Sequence, residues 1–565
     1  MRVNSLSAIS ALGSITNLNK TRKVQSNPIL PFDSVSFTSK YVNKPVNVDY
    51  ETAKIVANSL STSTSGHRAE YGSEVFNEDI VKLITLGVAD YAKEQAKNSY
   101  PKRNPIVLIG GDTRKATVES LPIIDETLQK QGIEVIHINK AIPTPALAYA
   151  AKVYDVDAAV LMTASHNPWS DGGYNMVTKE GAIAPATVTQ KVAEHMLEHA
   201  KKGYYKELKN PQKDSPAVSH KIYPYQTYKK LINSHEIIDW ENIKASGLHI
   251  YYDGLRGSGN NIMPRLLNDY QIPNTIVQSK GQEGPNPTEK NLTQLASEVK
   301  TSDSRLKIGL ANDGDADRFG IIDENGKFVS TNDVLLLAAY HLIKNRGIEG
   351  TILRSHATAS QLDEIADLYD MPVSITPVGF KFIGEDILDL RKHGKDIILA
   401  GEESGGLTIN SHVPEKDGIL ATLLIADLVA QEEKPLSEIL SDVKGQLNNV
   451  HSTKSINLKL KDNAKKDAII ASARELFNRA MQGSNTSFGD LEIDVEKTWN
   501  HQKHMEHYKK GGDGVMLYFK DGSSLLVRKS GTEPLIRYYI EAVGKTETSA
   551  KDKQEYIESL LGLYF

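Results

Sequence analysis

The stretch "DGDADR" places three aspartates, Asp313, Asp315 and Asp317, at every second position. Alternating carboxylates converge only where the backbone curls around a centre, and three like charges so gathered repel unless a cation sits among them. Oxygen ligands without His or Cys select a hard ion, Mg2+ or Ca2+. A calcium loop of EF-hand type is the rival reading, with Glu324 at its twelfth position. That loop needs glycine at position six, where this chain has Arg318, and the following "FGIIDENGKF" reads as a strand hairpin, not a helix. Mg2+ is favoured; a solvated acidic turn is the bland alternative.

Other polar stretches offer complementary chemistry. In "RKSGTEPLIR", Arg528 and Arg537 can fork onto phosphate oxygens. Between them Ser530, Gly531 and Thr532 can add hydroxyls and a nest of backbone N–H groups. An ordinary turn flanked by surface arginines is the competing reading. "GEESGG", with Glu402 and Ser404, offers the acceptors that adjacent sugar hydroxyls want, though a plain helix-entry loop fits it equally. "TPVGFK" adds Lys381 after a glycine turn at Gly379. "TASHNPWSDGGYN" runs from a strand, "AAVLM", into Ser165 and His166 and ends in what reads as a glycine-rich turn. No Asp–His relay is apparent and no G-x-S-x-G elbow is present, so Ser165 reads as a phosphoryl carrier before an acyl nucleophile, with a serine hydrolase as the rival. A metal with phosphate-binding arginines points to phosphoryl transfer, which runs on positioning and charge neutralisation. His166 reads as a hydrogen-bonding neighbour of the serine.

The elements that must carry these loops alternate. From Pro105, "PIVLIGG", a helix over 117–132, "IEVIHIN", the helix "TPALAYAAKVY" and "AAVLM" form one strand–helix round. "LHIYYDG", a helix from Asn260, "NTIVQ", a helix over 292–300 and "LKIGLA" form the second. "GTILRS", a helix from Thr358, "PVSITPVG", a helix from Lys381 and "DIILAG" form the third. Such alternation predicts α/β domains with mixed, mostly parallel sheets. The last strand of each round runs into "TASHNP", "NDGDADR" or "GEESGG", at the carboxyl end where open α/β sheets hold ligands. The final stretch, "DGVMLYF", a "KDGS" turn, "SLLVRKSGTEP", "LIRYYIEA" and a helix, predicts an antiparallel α+β domain.

A chain of 565 residues is long enough for about three to four domains. The expected division is an N-terminal extension over 1–45, then domains over 46–220, 221–330, 331–450 and 451–565. The extension carries Ser, Asn and basic residues, with no acidic residue before Asp33; a disordered polar segment is expected there, with a transit peptide as the alternative. A hydrophobic share of 39% with 24% charged residues describes a soluble globular protein. No apolar run approaches the ~20 residues that span a bilayer, so no membrane partner and a cytoplasmic location are expected. The net charge of −5 has no basic block, which argues against nucleic acid. With no cysteine, thiolate chemistry and disulfides are excluded. Nothing in the sequence sets an oligomeric state.

Taken in order over residues 60–560, these loops, with "TSGHR", "GGDTR", "PTPAL" and "KDGILA", resemble the α-D-phosphohexomutase superfamily. The resemblance implies three related α/β domains and a smaller C-terminal one around a central cleft. It makes Ser165 the phosphoserine and a ligand, with Asp313, Asp315 and Asp317, of Mg2+. It places Arg68 and Arg318 against the phosphoserine or a bound bisphosphate, and Glu402 and Ser404 on the sugar's 3- and 4-hydroxyls. Arg528, Ser530, Gly531, Thr532 and Arg537 would hold the phosphate not being transferred, while Arg354, Ser355 and Lys381 resemble further substrate contacts. The implied reaction interconverts hexose 1- and 6-phosphates through glucose 1,6-bisphosphate or its counterpart, which also serves as activator. "GEES" resembles glucose-specific members, where dual mannose/glucose enzymes more often show Met at the position of Glu403; mannose, glucosamine and pentose phosphates remain the alternatives.

One position departs from the family pattern. Members usually carry a lysine ten residues after the phosphoserine, and here that position is Asn175. Lys179, His67 and Lys381 are the candidate replacements in proton transfer, and a catalytically weakened sugar-phosphate-binding protein is the alternative function this departure suggests.

Overall fold

The computed structural model describes residues 48–63, 66–97, 103–202, 218–279, 284–484, 486–506, 514–529 and 535–565. The expected N-terminal extension over 1–45 lies outside them, as do Ser65 and the loop residues Ser530, Gly531 and Thr532.

Four larger sheets follow one another along the chain. The first comprises β1 (His67–Glu70), β2 (Ile106–Gly111), β3 (Glu134–Ile138), β4 (Ala158–Met162), β5 (Asp171–Val177) and β6 (Ser219–Ile222), in the order β1-β5-β4-β2-β3-β6. The second comprises β7 (His249–Asp253), β8 (Asn274–Val277), β9 (Lys307–Asn312), β10 (Phe319–Ile322) and β11 (Phe328–Val329), in the order β11-β10-β9-β7-β8. The third comprises β12 (Thr351–Ser355), β13 (Val373–Thr376), β14 (Ile397–Glu402) and β15 (Gly406–Ile409), in the order β13-β12-β14-β15. In the fourth, β16 (Val450–Lys459), β19 (Gly514–Tyr518), β20 (Ser524–Lys529) and β21 (Leu535–Gly544) are wholly antiparallel, in the order β16-β21-β20-β19. A separate two-residue hairpin joins β17 (Ser487–Phe488) to β18 (Leu491–Glu492).

The first three sheets share one plan. Each has three neighbouring parallel strands, β3-β2-β4, β8-β7-β9 or β13-β12-β14, and each then adds an antiparallel strand, β5, β10 or β15, on the last of them. The expected mixed, mostly parallel α/β architecture is therefore present, with an antiparallel α+β unit after it. The polar loops are the connections into the returning strands. They carry Ser165, the aspartates, and Glu402 with Ser404.

The sequence reading missed one of those returns. "DGGYN" is not a turn but the start of β5. Glycine there lets backbones touch: a Cβ on Gly173 would lie 1.8 Å from the carbonyl oxygen of Thr163, and one on Gly172 2.6 Å from the Phe76 ring. The fourth sheet also gains a ten-residue edge strand, β16, ahead of the expected "DGVMLYF". The helix expected from Asn260 is a 3-10 turn, Ser258–Asn261, followed by the helix Met263–Asp269.

One continuous apolar core runs beneath parts of the first three sheets, and the fourth has its own. The helix Gly418–Glu432, "GILATLLIADLVAQE", is apolar on nearly all sides, as a helix must be to lie inside a core. Its N-terminus is capped by Asp417, whose carboxylate accepts from the Leu420 N–H at 2.9 Å. No helix among the described residues is long and apolar enough to cross a membrane.

Candidate active site

Ser165 sits at the first residue positions after β4, in left-handed backbone (φ +51), which a serine adopts only when its surroundings hold it there. Those surroundings are dense. Its N–H donates to Thr163 Oγ1 at 2.8 Å, and that hydroxyl donates to Asp112 Oδ2 at 2.7 Å. The buried guanidinium of Arg114 pairs with Asp112 at 3.0 Å and donates to the carbonyl oxygens of Ser165, Asn167 and Pro168. "GGDTR" is thus the clamp that fixes the serine loop.

The aspartate loop closes onto that serine. Ser165 Oγ donates to Asp313 Oδ2 at 2.8 Å, and His166 Nδ1 lies 3.3 Å from the same hydroxyl. Thr144, from "PTPAL", donates its hydroxyl to Asp315 Oδ2 at 2.8 Å and its N–H to the Asp315 carbonyl at 2.9 Å. Carboxylate oxygens of Asp313, Asp315 and Asp317 all lie within 4.8 Å of one another, and all three residues are buried. Burial first, then the neighbouring carboxylates, push Asp313 well above the usual carboxylate range and Asp315 up to about 6. For Asp317 burial acts upward too, but Lys416 and Arg318 outweigh it and hold the group low. Asp315 Oδ1 and Asp317 Oδ1 are buried with no hydrogen-bond partner. Converging, repelling, unpartnered hard oxygens suit a divalent cation, and the strand β10 that follows the loop fits the reading that set the EF-hand aside.

Two further cations frame this centre. The charge of Arg318, burial, and the charges of Arg68, Lys416 and Arg537, in that order, drive the His166 imidazole well below its ordinary value. Arg68 lies on β1 opposite Gly173, within the fields of Asp315, Arg318 and Asp317. Arg537 of the fourth sheet is thus among the charges acting on His166.

The third loop docks on the second. The Phe319 N–H donates to the Gly405 carbonyl at 3.2 Å, and the Gly418 N–H to the Ala316 carbonyl at 3.1 Å. Here Glu402 closes β14, its Oε1 accepting from Ser404 Oγ at 2.6 Å. Burial, then the charge of Glu402, raise Glu403 to about 7; its carboxylate accepts from Ser355 Oγ at 2.8 Å. Gly379 takes φ +125 at the start of the helix Phe380–Lys392, and the Lys381 ammonium lies 5.0 Å from the Phe382 ring centre. On the fourth sheet Arg528 and Arg537 are direct cross-strand partners. Two guanidinium groups so paired favour an anion between them.

Arg354 and Ser355, expected as substrate contacts, make bonds within the protein. Arg354 grips Asp363 through two nitrogens at 2.5 and 2.6 Å and donates to the carbonyls of Ser355 and Thr358. Ser355, fully buried, is spent on Glu403 and Thr358. Both support the sugar loop from behind. Among the candidate replacements for the missing lysine, His67 is occupied on both nitrogens, by Ser59 Oγ at 3.0 Å and the Val75 carbonyl at 2.7 Å, and Lys179 is exposed.

The sequence reading missed Lys416. Its Nζ lies 3.0 Å from Asp317 Oδ2, on a cavity of about 30 Å3 lined also by Arg68, Thr144, Asn175 and Asp315. Asn175 itself is buried and spends its Nδ2 on the Thr163 and Leu161 carbonyls, at 2.8 and 3.4 Å. "KDGILA" held the signal: a lysine immediately before a helix cap and an all-apolar helix is fixed in place by that helix.

Four successive stretches match, in order, the Phosphoglucomutase/phosphomannomutase alpha/beta/alpha domains I (59–202), II (226–326) and III (330–445) and the C-terminal domain (456–557). The chain belongs to the α-D-phosphohexomutase superfamily. Members are phosphosugar mutases, isomerases that move a phosphoryl group within the sugar, and this chain is an enzyme of that class. It is 27% identical over 493 residues to a phosphoglucomutase/phosphomannomutase from Thermococcus kodakarensis, covering 86% of this chain and 95% of the relative. It is 26% identical over 467 residues to a phosphoglucosamine mutase from Ruminiclostridium cellulolyticum, covering 80% and 89%. Its fold is similar to that of parafusin, a phosphoglucomutase from Paramecium, with a TM-score of 0.68 at 21% identity, covering 89% of this chain and 94% of that one.

Proposed function

We propose that this phosphohexomutase interconverts glucose 1-phosphate and glucose 6-phosphate through a phosphoserine at Ser165 and glucose 1,6-bisphosphate. The observation that carries the reading is the contact of Ser165 Oγ with Asp313 Oδ2 at 2.8 Å, inside a cluster of three buried carboxylates. Ser165, Asp313, Asp315 and Asp317 would hold Mg2+. When bound, that ion supplies charge neutralisation at the phosphoryl oxygens.

In the first transfer the bond from phosphorus to Ser165 Oγ breaks as a bond to the sugar's free hydroxyl oxygen forms. Arg68 and Arg318 flank the serine and balance the moving negative charge. Lys416 offers its ammonium on the wall beside Asn175, where most relatives place a lysine of their own. The attacking hydroxyl gives up its proton as its oxygen bonds to phosphorus, and Ser165 Oγ, released from phosphorus, takes one up, so protons and charge balance across the transfer. The bisphosphate then turns in the cleft, and Ser165 Oγ takes the other phosphoryl group. Arg528 and Arg537 hold whichever phosphate is not reacting, while Glu402 and Ser404 accept from the sugar's 3- and 4-hydroxyls. Glu403 favours glucose, because a carboxyl group rather than a thioether stands behind that pair.

The test uses purified protein with Mg2+ and catalytic glucose 1,6-bisphosphate on a panel of glucose, mannose, glucosamine and pentose 1-phosphates. Glucose 1-phosphate should give the highest kcat/KM. Ser165→Ala should abolish turnover and remove one phosphate from the intact mass. A faster reaction on another sugar would overturn the specificity, and turnover by Ser165→Ala would overturn the mechanism.

A further inference from the structure

His451 lies on β16 at the junction between the third and fourth sheets, and each of its ring nitrogens faces a carboxylate. Nδ1 is 2.8 Å from Glu541 Oε1 and Nε2 is 3.0 Å from Glu364 Oε1, with the side chain 2% exposed. A neutral imidazole donates from one nitrogen only, and ionised carboxylates only accept, so both contacts are hydrogen bonds only when the ring is imidazolium. The two acids belong to different bodies. Glu364 is on the helix Gln361–Leu368, packed behind the third sheet, where it also accepts from the Asn448 and Asn449 N–H groups at 2.9 and 3.2 Å. Glu541 is on β21, four residues beyond Arg537 and so on the same face of the strand. It also accepts from the Ser360 N–H and hydroxyl, at 2.7 and 2.9 Å. The strand that carries Arg537 is thereby fastened to the domain that carries Glu402 and Ser404.

We infer that His451 is a positioning residue for the mutase reaction, an imidazolium rivet that sets the arginines of the fourth sheet over the sugar loop of the third. The inference rests on the proposed function only for its effect on sugar-phosphate binding. Burial alone would lower the His451 pKa; hydrogen bonds and charge from Glu541 and then Glu364 outweigh it and raise the value above 6.5. Several other charges on the surrounding elements have partners of their own, and Arg537 lies four residues from Glu541 on the same strand. Lys545, just past β21, holds Asn448 and Asn449; Lys553 pairs with Asp521; and Lys454 pairs with Glu558. Because the docked pKa is raised, the imidazolium's contribution to docking is fully present below pH 6.5 and is lost as pH rises through the raised value.

The experiment measures docking without substrate. The chain has no cysteine, so Lys392→Cys with Lys551→Cys gives two unique spin-label sites, one on each body. Double electron–electron resonance at pH 6 and pH 9 should show the inter-label distance broadening at the higher pH. His451→Gln should be broad at both, and His451→Arg, a fixed cation, narrow at both. Histidine titration by NMR should place His451 above 6.5, and KM for glucose 1-phosphate should rise with pH by up to about tenfold for each unit of that elevation. A His451 that titrates at or below 6.5, or a His451→Gln protein as narrow as wild type at pH 6, overturns the inference. If the enzyme turns over no glucose phosphate, the resonance and titration arms still decide the rivet, and the fault lies with the substrate assignment.

Discussion

The junction between the serine loop and the aspartate loop and the junction between the third and fourth sheets are built on different principles. At the first, the backbone is clamped by buried polar side chains: Arg114 holds the carbonyls of Ser165, Asn167 and Pro168, Thr144 holds Asp315, and Ser165 holds Asp313. At the second, among the described residues, an apolar cluster of Val378 with Met516, Tyr518 and Leu526 is joined by polar contacts that include titratable groups, among them His451 and His504, whose Nε2 lies 2.8 Å from the Ile375 carbonyl. Preorganisation belongs where charge develops, because donors fixed in advance cost nothing at the moment of transfer. On the proposed function, the wall that would hold the spectator phosphate can use titratable contacts, because it would have to admit and release a charged sugar. The difference teaches that catalysis and access are assigned to separate junctions.

The largest effect expected is at the rigid junction. Asp315→Asn removes one of three repelling carboxylates; burial and the charge of Asp317 raise its pKa to about 6, so ionising it costs more in the folded protein than in the unfolded chain. The metal-free variant should therefore melt no lower than wild type. Its Mg2+ affinity should fall, and kcat should drop on the order of 10^3-fold. Calorimetric Mg2+ titration beside thermal melts checks both, and a variant with wild-type affinity would remove Asp315 from the ligand set.

Next comes the clamp. Arg114→Met leaves Asp112 buried without its cation and removes the arginine's bonds to the Ser165, Asn167 and Pro168 carbonyls, which should cost about 3–5 kcal/mol by denaturant unfolding. Arg114→Lys cannot fork in the same plane and should recover only part. Because Ser165 is held in left-handed backbone by these bonds, residual folded enzyme should show reduced kcat with little change in KM. The reverse pattern would mean that the clamp serves stability alone.

Much of this was legible in the sequence, and the reasons are local. "DGDADR", "TASHNP" and "GEESGG" declare their chemistry because charge and glycine cluster where strands of β-branched and small apolar residues stop. Their positions at the ends of β4, β9 and β14 follow from the alternation of strand and helix. What stayed hidden depends on tertiary contact. "DGGYN" looks like a turn until Thr163 and Phe76 press against Gly173 and Gly172. Arg354 resembles a substrate contact, and its pairing with Asp363 of the following helix is invisible in the sequence. Lys416 is marked only by its place ahead of a helix cap; the docking of Gly418 on Ala316, which the sequence does not show, brings it to Asp317.

The smallest effect should come from restoring the family's lysine. Asn175→Lys removes the hydrogen bond to the Thr163 carbonyl and forces an ammonium into a cavity of about 30 Å3 already bordered by Arg68 and Lys416. Lost bonding and like-charge repulsion oppose any catalytic benefit, so stability should fall by about 1–3 kcal/mol and kcat should change by less than about tenfold. Lys416→Met should instead lower kcat by roughly 10^2-fold, the scale expected for removing one fixed positive group beside the developing charge, because the charges of Asp317 and Glu415 outweigh burial and keep Lys416 an ammonium. In that background the balance reverses. With one cation gone, Asn175→Lys meets less repulsion and has a function to fill, so the double variant should run faster than Lys416→Met alone. Steady-state kinetics of the four proteins measures the coupling directly. If the two substitutions simply add, the cavity is not a shared site for one ammonium group, and Asn175 is only a fastening for the strand behind Ser165.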